Sequence, residues 1–253
     1  MSELHTERII AMPNEIFEEM KEWVNNGELK SVQHQEFVYS YCWLITYLWK
    51  YAKYAEQEYT QSRIKQMLGY YPNEKRLNYI IKENGLLDGK EYSKAMMDYP
   101  VTWSLKEGDL SFSMLSEYDK VDRQYLIHFK THKFFVKAPL KSIGTESEEG
   151  IFWHSSNAHM INGDVFKACM ENEGLGCAAF YLYGLFVYMR DKNLHFNNSE
   201  TFSCANKTLV ELTGWNEKRV TKITGNMVKA KLIEKKQNVK VRGSVNTYKL
   251  YQP

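Results

Sequence analysis

Val220, Ile223, Met227 and Ala230 recur at i, i+3, i+7 and i+10, the spacing of one buried stripe on an amphipathic helix. Asn216 stands just ahead of that stripe and is a good cap, because its side-chain oxygen can accept from an unpaired amide of the first turn. Upstream, Leu209, Val210 and Leu212 give a shorter helix an apolar side, and Ser203 is placed to cap it. Gly214 falls between the two helices, where the chain must reverse, and glycine enters left-handed backbone without a Cβ penalty. Downstream, residues 232–236 and the alternating run 245–250 read as paired strands, with Lys240, Arg242 and Gly243 in the loop between them. A further helix over 177–189 precedes the whole, with Phe180, Tyr183, Leu185 and Met189 mostly inward.

The same outline occurs earlier in the chain. Asn-Glu-Lys-Arg stands at 73–76 and again at 216–219. Ahead of the first copy, Ile64, Met67 and Leu68 line a helix capped by Thr60 or Ser62. Tyr70, Tyr71 and Pro72 lengthen the turn, and Pro72 forces an extended approach to Asn73, which is read as the next cap. Leu77, Ile80 and Ile81 then form a buried stripe ended by Asn84 and Gly85. Residues 101–105 and 110–114 alternate around an acidic turn and predict a hairpin. A helix over 35–54, with Phe37, Tyr41, Leu44, Leu48 and Tyr51 on one side, sits upstream.

Charge separates the two copies. Residues 201–253 hold eleven Lys and Arg against three Asp and Glu, a net of +8, whereas the whole chain is +2. Residues 1–200 therefore carry −6 (+2 minus +8). A basic element on an acidic body points to one surface facing a polyanion. The alternative is a solvated helix face with lysines guarding an edge strand. On the second copy the outward face carries Lys218, Arg219, Thr221, Lys222, Asn226 and Lys229 behind the cap Asn216, side chains that reach phosphates and base edges. Lys240 and Arg242 at the hairpin tip suit a phosphate backbone or a minor groove. On the first copy Lys75, Arg76, Asn78 and Lys82 are left outward or at the edges.

Length and composition limit the picture. A chain of 253 residues has room for two domains with their own cores. Residues 1–140 are expected to form one, with an added N-terminal helix and hairpins; 141–160, polar and acidic, a linker; and 161–253 a basic second domain. Ile16, Phe17, Met20, Trp23 and Val24 mark the N-terminal helix, with Pro13 near its first turn. Residues 125–137 are apolar and β-rich and supply a connecting segment. The apolar stretch 41–49 falls far short of the ~20 residues needed to span a bilayer. The first residues lack a basic and then apolar leader, so a cytoplasmic protein without membrane contact is expected. Cys42, Cys169, Cys177 and Cys204 show no chelating pair and read as reduced thiols.

Nothing argues for catalysis. His128 and His132 are four apart, and His154 and His159 five apart near Cys169 and Cys177, but neither spacing is diagnostic of zinc. Gly174 and Gly176 lack the continuation of a phosphate-binding loop, and no Ser or Cys stands in a nucleophile context. The expectation is a protein that is not an enzyme, with no cofactor and no metal.

Residues 60–114 and 177–251 resemble winged helix-turn-helix domains of bacterial, phage and plasmid DNA-binding proteins. The pair, in a chain of this length, is similar in organisation to the plasmid replication initiators built from two winged helices. The resemblance implies an α+β fold, mainly helical, with short β-hairpin wings. It implies double-stranded DNA as partner, residues 216–231 as reading helix, and a homodimer formed in part through the first copy. A sequence-specific transcription regulator is the leading expectation. A replication initiator is the alternative, and a winged-helix module that binds a protein through its aromatic helices is the third.

Overall fold

A computed structural model describes residues 9–106, 109–119, 136–143, 157–197, 199–237 and 245–251. The fold is α+β, with helices joined by small antiparallel sheets. It divides into two compact units: Met1–Ser40 with Asn157–Pro253, and Tyr41–Ser156. The division falls inside one helix, and it differs from the expected boundary near residues 141–160.

The reason lies in the first unit. Strand β1 (Ile9–Pro13) pairs antiparallel with β6 (Ala158–Asn162), from Ile9 opposite Asn162 to Pro13 opposite Ala158. A strand thus occupies part of the expected linker, and it ties the N-terminal residues to the C-terminal part of the chain. Pro13 ends β1 and is not in the first helical turn. Helix α1 (Ile16–Asn25) buries Ile16, Phe17, Met20 and Trp23, with Val24 only half-buried.

The first residues of helix α2 (His34–Lys50) also belong to this unit, as do α6 (Gly163–Glu171) and α7 (Gly176–Asn197). The Asn162 side chain caps α6 by accepting from the Asp164 amide at 2.8 Å. Residues 177–187 of α7 are all buried, so this helix has no solvated face until its last turns. Then follow β7 (Thr201–Ala205), α8 (Asn206–Thr213), α9 (Glu217–Lys229), β8 (Ile233–Gln237) and β9 (Val245–Leu250). The three strands form one sheet in the order β7-β9-β8, with β9 antiparallel to both. Phe186 of α7 meets this sheet through Phe202 and Tyr248, with ring centroids 5.3 and 4.7 Å away. The expected strands 232–236 and 245–250 are present. Ser203, expected to cap α8, lies in β7, where its hydroxyl is 3.2 Å from that of Thr247.

In the second unit α2 gives way to a 3-10 turn (Lys53–Ala55) and α3 (Gln61–Met67). Thr60 caps α3, accepting from the Arg63 amide at 3.1 Å. The second helix expected after Asn73 is a 3-10 turn (Lys75–Leu77) running into the single turn α4 (Asn78–Ile81), followed by α5 (Leu86–Gly89). The hairpin is present as β3 (Pro100–Lys106) against β4 (Asp109–Met114), and β2 (Lys94–Met96) pairs with β5 (Val136–Ala138). Most of the β-rich stretch 125–137 lies outside the described residues. Lys137, 1% exposed, pairs with Asp88 at 2.5 Å, and Asp88 also accepts from Ser93 and from the Asn84 amide. The four cysteines are buried, and none is in a disulfide.

Candidate nucleic-acid interface

Helix α9 follows α8 through a turn held by hydrogen bonds from Thr213, Gly214 and Asn216. Gly214 has φ +68° and its amide donates to the Val210 carbonyl at 2.8 Å, closing α8 with a left-handed residue. The Thr213 hydroxyl donates to the Leu209 carbonyl at 2.6 Å and accepts from the Trp215 amide at 3.2 Å. Asn216 accepts from the Arg219 amide at 2.9 Å and caps α9, as its position predicts. Val220, Ile223, Thr224 and Met227 form the buried stripe.

The opposite face holds the candidate contacts. Lys218, Thr221, Lys222 and Lys229 are exposed. Beside them is an open depression of about 390 Å³, lined by Val32, Gln33, Gly214, Trp215, Asn216, Lys218, Arg219 and Lys222. Its cationic rim, at the capped N-terminus of a 13-residue helix, suits an anionic ligand such as a backbone phosphate.

Two side chains expected on that face are turned elsewhere. Arg219 is part-buried, and its terminal nitrogen donates to both carboxylate oxygens of Glu36 at 2.7 and 2.8 Å. Its guanidinium lies 5.0 Å from the Trp215 ring centroid. Position 219 sits at the edge of the α9 stripe, close enough to the core for a buried carboxylate to claim it. Burial pushes the Glu36 carboxyl up to about 7, with Arg219 opposing the shift. Asn226 donates to the Gly174 carbonyl at 2.8 Å and so braces α9 against the turn between α6 and α7. Lys240 and Arg242 lie outside the described residues.

The first copy offers less. Lys75 and Lys82 are exposed. Arg76 is also exposed, but its guanidinium forks onto Glu74 at 2.8 and 2.9 Å, which holds the Glu74 carboxyl down at about 2. Asn78 is taken by Lys65, whose ammonium also donates to the Glu74 carbonyl at 2.9 Å. One helical turn cannot carry a row of outward side chains of the kind α9 presents. The repeated Asn-Glu-Lys-Arg thus closes a local network at 73–76 and opens a long helix at 216–219.

Sequence reading missed Val32, Gln33 and Glu36. The signal for Glu36 was there, a lone carboxylate just ahead of an apolar helical run, which demands a buried cation. Among the described residues no three His, Cys, Asp or Glu side chains gather as metal ligands. No helix among them is long and apolar enough to cross a membrane. No protein-family model, curated protein or solved structure matches the chain.

Proposed function

We propose that residues 177–251 form a winged helix-turn-helix and that the protein is a sequence-specific double-stranded DNA-binding regulator of a bacterium or mobile element, acting in the cytoplasm. One observation carries this reading. The order α7, β7, α8, glycine turn, α9, β8, β9, with β9 between the other two strands, presents a long capped helix whose solvent face holds Lys218, Thr221, Lys222 and Lys229.

In this reading α9 enters a major groove. Thr221 faces the base edges, while Lys218, Lys222 and Lys229 meet phosphates on either side. Arg219 is a positioning residue that fixes the start of α9 through Glu36 and Trp215. Lys240 and Arg242, outside the described residues, are the further cations this reading assigns to the phosphate backbone. With α4 reduced to one turn, each chain brings one reading helix. Two chains in a dimer would read half-sites about one helical turn of DNA apart.

Selection of duplexes from a random-sequence library, followed by titration at several salt concentrations, tests the reading. Recovered duplexes should share a motif, and affinity should fall steeply with salt, with a log–log slope of about −0.9 for each phosphate contacted. Recovery of no motif, together with binding that ignores salt, would overturn it.

A further inference from the structure

Lys218, Arg219 and Lys222 are the cations that line the depression beside α9, and a buried carboxylate is bonded to one of them. Arg219 commits a terminal nitrogen to both oxygens of Glu36, at 2.7 and 2.8 Å. Its Nε is buried too and has no hydrogen-bond partner among the described residues. The arginine is therefore a wall of the depression and half of an internal ion pair at once. With Glu36 ionised, an anion in the depression meets a net charge of +2 (three cations less one anion). With Glu36 protonated, it meets +3. The neutral acid keeps a carbonyl oxygen that can still accept from Arg219. Helix α9 thus keeps its brace while its cation is uncovered.

The groups around Glu36 set when that proton arrives. Burial raises its carboxyl to about 7, and Arg219 opposes the rise. The Trp215 indole N–H also favours the carboxylate, from outside good hydrogen-bond geometry. From α7, the Tyr181 hydroxyl donates to Gln35 at 3.0 Å, and burial together with the Glu36 charge keeps it un-ionised. On α2 itself, His34 stands two positions before Glu36, and histidine ordinarily titrates close to neutrality. An anion in the depression is repelled by the Glu36 carboxylate and attracted by an uncompensated Arg219. Both forces favour the protonated acid. We infer that the depression takes a phosphate together with a proton on Glu36, so that acidification strengthens duplex binding. This inference rests on the DNA-binding reading above for the source of the phosphate and adds a regulation to that site. A bound anion makes Glu36 hold its proton more tightly, so affinity falls as pH rises through about 7.

Duplex phosphodiesters keep their charge throughout the neutral range, so the pH profile of binding reports on the protein. The best duplex that the wild-type chain selects should bind about fivefold more tightly at about pH 6 than at about pH 8, as expected when the anion makes Glu36 hold its proton about tenfold more tightly. Glu36→Gln should bind at about pH 8 as tightly as wild type does at about pH 6, with no pH dependence, and thermal unfolding confirms that it is folded. His34→Gln should keep the wild-type profile. A wild-type profile that is flat or rises with pH overturns the inference. So does a profile that persists in Glu36→Gln or disappears in His34→Gln. Inorganic sulfate, whose charge is constant over the same range, separates the inference from the DNA-binding reading. Followed through the amide resonances of residues 216–219, sulfate should bind wild type more tightly as pH falls and Glu36→Gln equally at both ends. If no duplex is selected and sulfate behaves in this way, the DNA-binding reading fails and the proton-linked oxyanion site stands. If duplexes are selected but neither they nor sulfate respond to pH, the inference alone falls.

Discussion

Arg219 holds Glu36 from the first turn of α9, its terminal nitrogen 2.7 and 2.8 Å from the two carboxylate oxygens, with Glu36 only 5% exposed. A buried carboxylate that loses its cation is left without compensation, which costs roughly 3–5 kcal/mol when the charge cannot leave. Here it can leave, by taking up a proton. Arg219→Ala should therefore be strongly destabilised above pH 7 and much less so near pH 5. Urea denaturation of wild type and variant at the two pH values checks this. A loss that is the same at both would show that the arginine acts through packing alone.

The same carboxyl gives a pH dependence with a defined sign. It titrates at about 7 in the folded chain against an ordinary value of 4.5, so the folded state holds the proton more tightly. Its contribution is complete below about pH 4.5 and is lost as pH rises to about 7, on the order of 3 kcal/mol. His159 works in the opposite sense. Burial lowers its pKa from 6.5 to about 3, and the neutral ring accepts from the Tyr39 hydroxyl at 2.6 Å and donates to Asn14 at 2.9 Å. Its contribution is complete above about pH 6.5 and is lost as pH falls toward 3. Between these limits the two slopes oppose each other. Glu36→Gln should leave stability rising with pH through the 4.5–6.5 window, and His159→Gln should leave it falling. Denaturation midpoints across that window measure both. Parallel curves for the two variants would contradict the assignment.

Gly184 and Tyr39 form a third test, independent of charge. A Cβ on Gly184 would lie 2.0 Å from the tyrosine hydroxyl oxygen and 2.4 Å from its ring carbon. The Tyr39 ring is fully buried among Phe17, Phe180 and Tyr181, with centroids 5.4, 5.6 and 5.8 Å away, so it has nowhere to move. Gly184→Ala should cost ~3 kcal/mol through overpacking, even though alanine is the better helix former. Tyr39→Phe should not relieve it, because the ring carbon still clashes. Tyr39→Leu in the Gly184→Ala background should recover part of the loss. Thermal unfolding of the three variants decides; a Gly184→Ala chain as stable as wild type would mean that Tyr39 repacks.

Several of these elements were legible in the sequence, and the exceptions share a cause. The stripe Val220, Ile223, Met227, the cap Asn216 and the turn at Gly214 are local, set by residues a few positions apart, and each was readable. So were the hairpin strands β8 and β9. Strands β1, β6 and β7 were not, because each is defined by a partner far along the chain: Ile9 opposite Asn162, and Thr201 opposite Lys249. Asn78 and Arg76 look like the outward residues of a reading helix until Lys65 and Glu74 are placed beside them. Arg219 likewise looked free until Glu36, 183 residues earlier, was brought against it. A helical period tells which face is apolar; it does not tell which cation at the edge of that face a distant carboxylate will claim.

That distinction separates the two Asn-Glu-Lys-Arg copies experimentally. Lys218 and Lys222 are exposed at the rim of the depression on α9, whereas Arg76 is engaged with Glu74 and lies in the 3-10 turn Lys75–Leu77. Lys218→Ala and Lys222→Ala should each weaken binding of a selected duplex and make the salt slope shallower by about 1. Lys75→Ala and Arg76→Ala should leave affinity within about twofold and the slope unchanged. Fluorescence anisotropy at several salt concentrations gives both quantities at once, and thermal unfolding confirms that each variant is folded. If the pair at 75–76 moved the slope and the pair at 218–222 did not, the reading surface would lie on the first copy, in the unit that holds Tyr41–Ser156.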